Sequence, residues 1–485
     1  MRGRGKADGK VTWKANFGAA VGEPEGGSEM MRSKARWLLV GVACVGFWPA
    51  VTFAQGTASA QWTDDARRCA QETRPELVLD YCSRAIQSGQ LSAANLAIIF
   101  QVRGAHYTGK GEYDRAIQDF SEAIRLNPND ARAFYNRGNT YGDMGEHDRA
   151  IEDFSQAIRL NPQYAKAFYN RGVTHAYKRA YDRAIQDFAQ AVQLNPNDDK
   201  ALYNLGKAYA DKGDYDRAIE AYGRAIRVNP SLAAAFYNRG LAYAHKGDSD
   251  RAIQDFDHAI RLNPNDASAF YNLGRACLDK GDYDGAIRAN DQAIRLDPKK
   301  AEAFNNRGAA YQAKGEYDRA LKDFDQAIRL DPNSAEPFYG RGLVQFTQGQ
   351  FAAAVPELAK AVELDPVNEY RAIWLYLARA RAGQSGRESL ASSASRFNLE
   401  HWPGPVVSMY LGRIPPDAVL QGAIDPDPNK QRVRKCEAHF FGGEYLLVQG
   451  LRDEAVRMFQ AAVASCGLGA PEYHSAKAEL RRMGN

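Results

Sequence analysis

Six asparagines stand at a constant interval of 34 residues: Asn136, Asn170, Asn204, Asn238, Asn272 and Asn306. In five cases the preceding residue is a tyrosine, namely Tyr135, Tyr169, Tyr203, Tyr237 and Tyr271, and Tyr339 takes up the tyrosine series again further along. A primary amide offers both a donor and an acceptor, so a row of them can hold the backbone of an extended polypeptide without reading its sequence. Tyrosine adds a flat apolar wall with a polar tip. A helix face that merely met water would carry Lys and Glu, because Asn is a mediocre helix former. The row is therefore expected to lie off the packing face and to form a peptide-binding groove. The alternative is that both residue types simply persist from duplication of one unit.

No second constellation points to catalysis. The chain has no phosphate loop, no G-x-G-x-x-G after a strand and no H-E-x-x-H, and Gly383-Gln384-Ser385-Gly386-Arg387 lacks the last glycine of a nucleophile elbow. The eight histidines are scattered, and His175 stands where most units have a core tyrosine. Cys436, His439, Cys466 and His474 are the best metal candidates, but a disulfide between the two cysteines is the stronger expectation. A noncatalytic protein with no cofactor and no metal is expected.

The elements that must position the row are written eight times between about residues 97 and 368, with Pro128, Pro162, Pro196, Pro230, Pro264, Pro298, Pro332 and Pro366 marking the beat. A fixed period of this length signals a repeat array. Numbered from its first residue, the unit carries an aromatic at 4, Gly at 8, usually Tyr at 11, Gly near 15, Ala at 20, an aromatic at 24, Ala at 27 and Pro at 32. One example is Phe134, Gly138, Tyr141, Gly145, Ala150, Phe154, Ala157 and Pro162. Positions 4, 8 and 11 share one face of a first helix, and 20, 24 and 27 one face of a second. The Asn-Pro or Asp-Pro step ends the second helix. A single hairpin cannot bury its faces alone, so the units must stack.

This pattern closely resembles the tetratricopeptide repeat (TPR) family. The resemblance implies an all-α TPR solenoid, a right-handed superhelix of helical hairpins with atypical helical caps, whose first helices line the concave side. The asparagine row is similar to the peptide-binding ladder in the long TPR arrays of O-GlcNAc transferase. The Lys and Arg arrangement of chaperone-tail TPR clamps is not reproduced.

Comparing the units with one another exposes a pairing rule. Position 7 is Arg in six units (Arg103, Arg137, Arg171, Arg239, Arg307, Arg341), and position 23 of the same units is acidic (Asp119, Asp153, Asp187, Asp255, Asp323, Glu357). The exceptions change together: Leu205 goes with Ala221, and Leu273 with Ala289. An ion pair within the unit is expected. Outward positions of the second helices, such as Asp216, Arg217, Glu220 and Arg227, read as a solvated face.

The 485-residue chain is 45% hydrophobic and 25% charged, with a formal charge of +4. The excess comes from residues 1–60, which leaves a neutral body and argues against nucleic acid as a partner. Residues 1–29 read as a disordered leader or a misassigned start, and 30–60 as a signal peptide: a basic run to Arg36, an apolar core from Trp37 and small residues before Ala60. Periplasmic or secreted localisation follows after cleavage; an uncleaved segment would anchor the protein to a membrane. A lipid on Cys44 is the weaker reading, because the residues before it make a poor lipobox. Residues 61–96 read as an N-terminal capping hairpin, 97–368 as eight units and 369–485 as a helical C-terminal region. In an oxidising compartment Cys69 with Cys82, and Cys436 with Cys466, are disulfide candidates, while Cys277 at a core position stays free.

The C-terminal region reads as a helix at 370–382, a loop with a short helix, proline breaks at Trp402-Pro403-Gly404-Pro405 and Ile414-Pro415-Pro416, a returning hairpin from Gln431 and a last helix from Pro471. Ile373-Trp374-Leu375-Tyr376-Leu377-Ala378, Val407-Ser408-Met409-Tyr410-Leu411-Gly412 and the run from Cys436 to Tyr445 together resemble the NlpI family of periplasmic TPR lipoproteins. That resemblance implies a noncatalytic adaptor or scaffold of the bacterial cell envelope, with cell-wall hydrolases or a periplasmic protease among its protein partners. The alternative is a homo-oligomeric component of envelope assembly.

Overall fold

A phenylalanine ring laid on a glycine closes five of the eight hairpins. A Cβ added at Gly138 would come within 2.9 Å of the Phe154 ring, and the same holds for Gly240 beneath Phe256 and Gly308 beneath Phe324. The two helices of a repeat can touch only because position 8 has no side chain. The computed structural model describes residues 62–484, and the expected leader, signal segment and Cys44 lie outside them. Among the described residues there are 25 α-helices and no strand. From Ala93–Lys110 with Tyr113–Leu126 to Ala335–Thr347 with Phe351–Leu364, the helices pair at the expected period. The described chain falls into two compact units, residues 62–235 and 236–484.

Within a repeat, the first helix ends on a left-handed residue that reverses the chain. Gly145 takes this conformation at φ 78°, as do its counterparts Gly213 and Gly281. In one repeat the position is Arg179, at φ 56°, the one non-glycine residue with positive φ among the described residues. All six expected ion pairs form inside their own units. Arg239 is typical: its Nε and Nη2 donate to Asp255 Oδ2 and Oδ1, both at 2.7 Å. Five of the arginines also reach the preceding hairpin: Arg103 to Ser83 at 3.1 Å, Arg137 to Ser121 and Arg171 to Ser155 at 3.0 Å, Arg307 to Asp291 and Arg341 to Asp325 at 2.6 Å. The same guanidinium therefore closes one hairpin and ties it to its neighbour.

Both ends are stapled. Cys69 of helix Asp64–Gln71 is bonded to Cys82 of helix Pro75–Gln87, and Cys436 of helix Pro428–Val448 to Cys466 after helix Arg452–Ser465. Cys277 is free and buried, and burial pushes its thiol up to about 12. The returning hairpin repeats the motif, with Phe459 over Gly443. The proline-rich stretches are not simple breaks: helices Gly404–Tyr410 and Pro416–Gly422 begin there, because proline is tolerated in a first turn, where no N–H partner is needed.

The C-terminal cap buries an unusual amount of charge. Trp374 stacks on Phe440 at 5.2 Å at its centre. Around this core Arg381 bridges Glu444 (2.8 Å) and Glu479 (2.9 Å), and Glu437 accepts from Tyr370 Oη at 2.8 Å and from Trp402 Nε1. Glu472, on the last helix, is buried without a cation of its own among the described residues. Burial first, then the mutual repulsion of Glu472 and Glu437 on the former, raises both carboxyls well above their ordinary 4.5.

Two outcomes are expected. Removing the Asp255 carboxylate alone strands Arg239 and costs about 3 kcal/mol, whereas Arg239→Leu with Asp255→Ala, the combination the chain itself uses at Leu205 and Ala221, costs less than the single change. Urea unfolding of the two singles and the double gives the coupling, and a zero coupling energy would remove the pair as a structural term. In the cap, raised carboxyls are protonated when folded and ionised when unfolded, so stability is greatest below pH 4.5 and is lost as pH rises from there through neutrality. Glu472→Gln should flatten this slope, which reaches about 1.4 kcal/mol per pH unit for each such group, when cap opening is followed by hydrogen exchange.

Candidate functional site

The tyrosines of the repeat do not form an open wall. Tyr135 and Tyr339 are buried, and Tyr169, Tyr203, Tyr237 and Tyr271 are half-buried. Four of these rings pack on the position-24 aromatic of their own unit: Tyr169 on Phe188 and Tyr203 on Tyr222 at 5.8 Å, Tyr135 on Phe154 and Tyr237 on Phe256 at 5.9 Å. Their hydroxyls meet the asparagines of the next unit. Asn170 Nδ2 donates to Tyr135 Oη at 3.1 Å, and Asn204 to Tyr169 and Asn272 to Tyr237, each at 2.9 Å.

The second amide hydrogen is committed as well. Asn204 donates to the Lys200 carbonyl at 3.1 Å and Asn272 to the Ser268 carbonyl at 3.0 Å, while Asn170, itself buried, reaches Asn139 Oδ1 at 2.6 Å. The expectation that these side chains stand clear of the packing is thus corrected. Their donors tie one repeat to the next, and the side-chain carbonyl oxygens of Asn170, Asn204 and Asn272 accept no hydrogen bond among the described residues. Asn136, Asn238 and Asn306 are half-buried on the same helix face.

The sequence carried a signal for this ladder. Tyr at position 5 of one unit accompanies Asn at position 6 of the next, and where the tyrosine becomes Asn305 the following asparagine becomes Gly340. Gly340 instead packs on the ring of Phe324, which an added Cβ would approach to 2.5 Å. At the other end Gln101 replaces the tyrosine and turns to Asp130 Oδ2 at 3.0 Å instead.

Electrostatics on these helices are mild. Burial raises Tyr169 to about 12. Asp279 meets solvent at its tip, yet the surrounding protein raises it to about 6; Asp143 shifts in the same direction for the same reason. The candidate metal set is dispersed: the two cysteines are bonded to each other, His439 Nδ1 lies 3.5 Å from Ser465 Oγ, and His474 sits on a backbone carbonyl. Among the described residues no group of His, Cys, Asp and Glu could hold a metal ion, and no helix is long and apolar enough to cross a membrane.

Family models for the tetratricopeptide repeat match residues 104–145, 131–164 and 309–382, and the model of the Cilia and flagella-associated protein 70 C-terminal domain matches 164–336. A curated relative, the lipoprotein NlpI homolog of Haemophilus influenzae, is 30% identical over 117 residues, which is 24% of this chain and 37% of that protein. Among solved structures, YrrB, described as a TPR protein with an unusual peptide-binding site, is 27% identical, with 38% of this chain and 95% of that one covered and a TM-score of 0.36. MamA is 32% identical, with 34% and 96% covered and a TM-score of 0.33. The chain is a tetratricopeptide-repeat protein. Within that class it resembles the lipoprotein NlpI, although it spans little more than a third of that relative's length.

Asn204→Ala should therefore lower stability by about 1 kcal/mol, despite the better helix propensity of Ala, because Tyr169 loses its hydrogen-bond partner. Unchanged or higher stability in a urea titration would show that the ladder contributes nothing to stacking.

Proposed function

We propose that this protein is a noncatalytic adaptor of the bacterial cell envelope that holds extended segments of partner proteins against the first-helix faces of its repeats. The observation that carries the reading is the contrast between charged second helices and a first-helix face built from Tyr and Asn, on which the side-chain carbonyls of Asn170, Asn204 and Asn272 accept no hydrogen bond among the described residues. Such oxygens suit the backbone N–H groups of an extended chain, so binding is broad and only weakly dependent on client sequence. Tyr135, Asn136, Tyr169, Asn170, Tyr203 and Asn204 in one compact unit, and Tyr237, Asn238, Tyr271, Asn272, Asn306 and Tyr339 in the other, are the contact residues. The envelope assignment is supported by the likeness to a lipoprotein; cell-wall hydrolases or a periplasmic protease are the partners this reading favours.

The test separates binding from stacking. With an unfolded, carboxymethylated model protein as client, Asn170→Ala, Asn204→Ala and Asn272→Ala together should weaken binding by about 0.5 to 1.5 kcal/mol for each carbonyl removed. Tyr135→Phe, Tyr169→Phe and Tyr237→Phe break the same internal hydrogen bonds but keep the carbonyls, and should bind as the parent does. Equal losses in both triples would mean that the row serves stacking alone.

A further inference from the structure

In residues 236–484 the chain shows how a helix can be seated on the edge where first helices end. The last helix, Pro471–Arg482, and the loop before it run across three repeats. Gly469 rests on Tyr283, whose hydroxyl would lie 1.6 Å from an added Cβ. His474 Nε2 donates to the Ala313 carbonyl at 3.0 Å, and the Ser475 and Thr347 hydroxyls are 2.9 Å apart. Arg482 donates to the Phe346 and Thr347 carbonyls, at the end of helix Ala335–Thr347, and lies over the Phe351 ring at 5.4 Å. A cation on the last carbonyls of a helix is held by hydrogen bonds and by the macrodipole together. In the two repeats that hold His474 and Arg482, position 13 is small and uncharged, Ala313 and Thr347; in the repeat of Tyr283 it is Asp279.

In residues 62–235 the same edge is built for something else. Position 13 is Asp143, Tyr177 and Asp211 in three successive repeats. Both acids end their helices, where the macrodipole disfavours a carboxylate. Asp211 has Lys207 at 3.2 Å, while Asp143 forms no ion pair among the described residues. Tyr177 is 53% exposed and Met144 37% exposed; Val228 is the other large apolar side chain this exposed in the unit. The His147 ring stacks on Tyr177 at 5.8 Å, and beside it opens a cavity of about 450 Å³ lined by Glu146, His147, Arg149 and Lys178. The repeat pattern is broken at this place: Met144 where six other units have Lys, His147 where most have Tyr, and left-handed Arg179 where the others have Gly.

We propose that Asp143, Tyr177 and Asp211 form a docking edge for an amphipathic helix of a partner protein, with an apolar side chain on Tyr177 and a basic one on each aspartate. Charge complementarity selects the cations, since two carboxylates and three helix C-termini converge on the edge. The spacing follows from the chain's own example, in which His474 and Arg482 serve adjacent repeats eight residues apart. The two cations of the partner helix are then about fifteen residues apart with the apolar residue midway. This edge is separate from the asparagine face, and its ligand is helical rather than extended, so the two readings stand or fall apart.

The probe is a stapled, fluorescein-labelled synthetic helix of about twenty residues, with two Arg at that spacing, Leu midway and Ala or Gln elsewhere, compared with the same helix carrying Glu for Arg. Anisotropy titration of the intact protein should show saturable binding of the Arg helix, weakened by salt, and little binding of the Glu helix. Asp143→Ala with Asp211→Ala, and separately Tyr177→Ala, should each reduce affinity about tenfold, while Asn204→Ala changes nothing. Asp143→Arg with Asp211→Arg should reverse the preference in favour of the Glu helix, a gain that no folding defect can mimic. Equal binding of the two helices by the parent, absence of saturable binding, or failure of the reversed variant to switch would each overturn the proposal.

Discussion

The contact on which the architecture depends is between an aromatic ring and a backbone with no side chain. With Phe256 resting on Gly240, the two helices of a repeat are near enough for Arg239 to span to Asp255, and near enough that Tyr237 can lean on the same ring. Position 24 therefore does three things at once: it sets the interhelical distance, backs the tyrosine and walls off the ion pair. Where the ring is lost the compensation is visible. Asn290 sits over Gly274 with no arginine to accompany it, bonding back to the Ala286 carbonyl at 2.8 Å, and its unit is one of the two that have Leu and Ala in place of the ion pair.

Much of this was legible in residue spacing. The hairpin period, the ring-on-glycine contact and the arginine pairing are contacts within about twenty residues of each other, repeated in one chain, so coordinated exceptions such as Leu205 with Ala221 reveal them. The Tyr–Asn contact was harder. It joins residues 35 apart, across two units, and the informative exception is a single joint change at Asn305 and Gly340. Read one unit at a time, a polar face looks like a free face. Which hydrogens of an asparagine are already committed depends on a neighbour whose distance no single repeat encodes.

The cap was legible in outline and hidden in its chemistry. The helices at Glu369–Arg381 and Pro471–Arg482 follow from apolar spacing, and proline positions gave the right neighbourhood but the wrong sense, since Pro416 starts a helix. Nothing in the pattern marks Glu437, Glu444, Glu472 and Glu479 as buried, because acids on a helix ordinarily meet water. Their seven-residue spacing in each pair places them on one side of two facing helices, an arrangement that acquires meaning only once the helices are seen to pack.

The two cystine bridges have a consequence for where this array can come undone. A linear stack has neighbours on both sides everywhere except at its tips, so tips ordinarily fray first and the loss travels inward. Here the first hairpin and the returning hairpin are each closed into a covalent loop, spanning 13 residues in one and 30 in the other, and a closed loop has little conformational freedom to gain by opening. Fraying is suppressed where it would start. Excursions from the native state then begin at interior seams, beside the repeats that carry Leu205 with Ala221 and Leu273 with Ala289 in place of a guanidinium clasp.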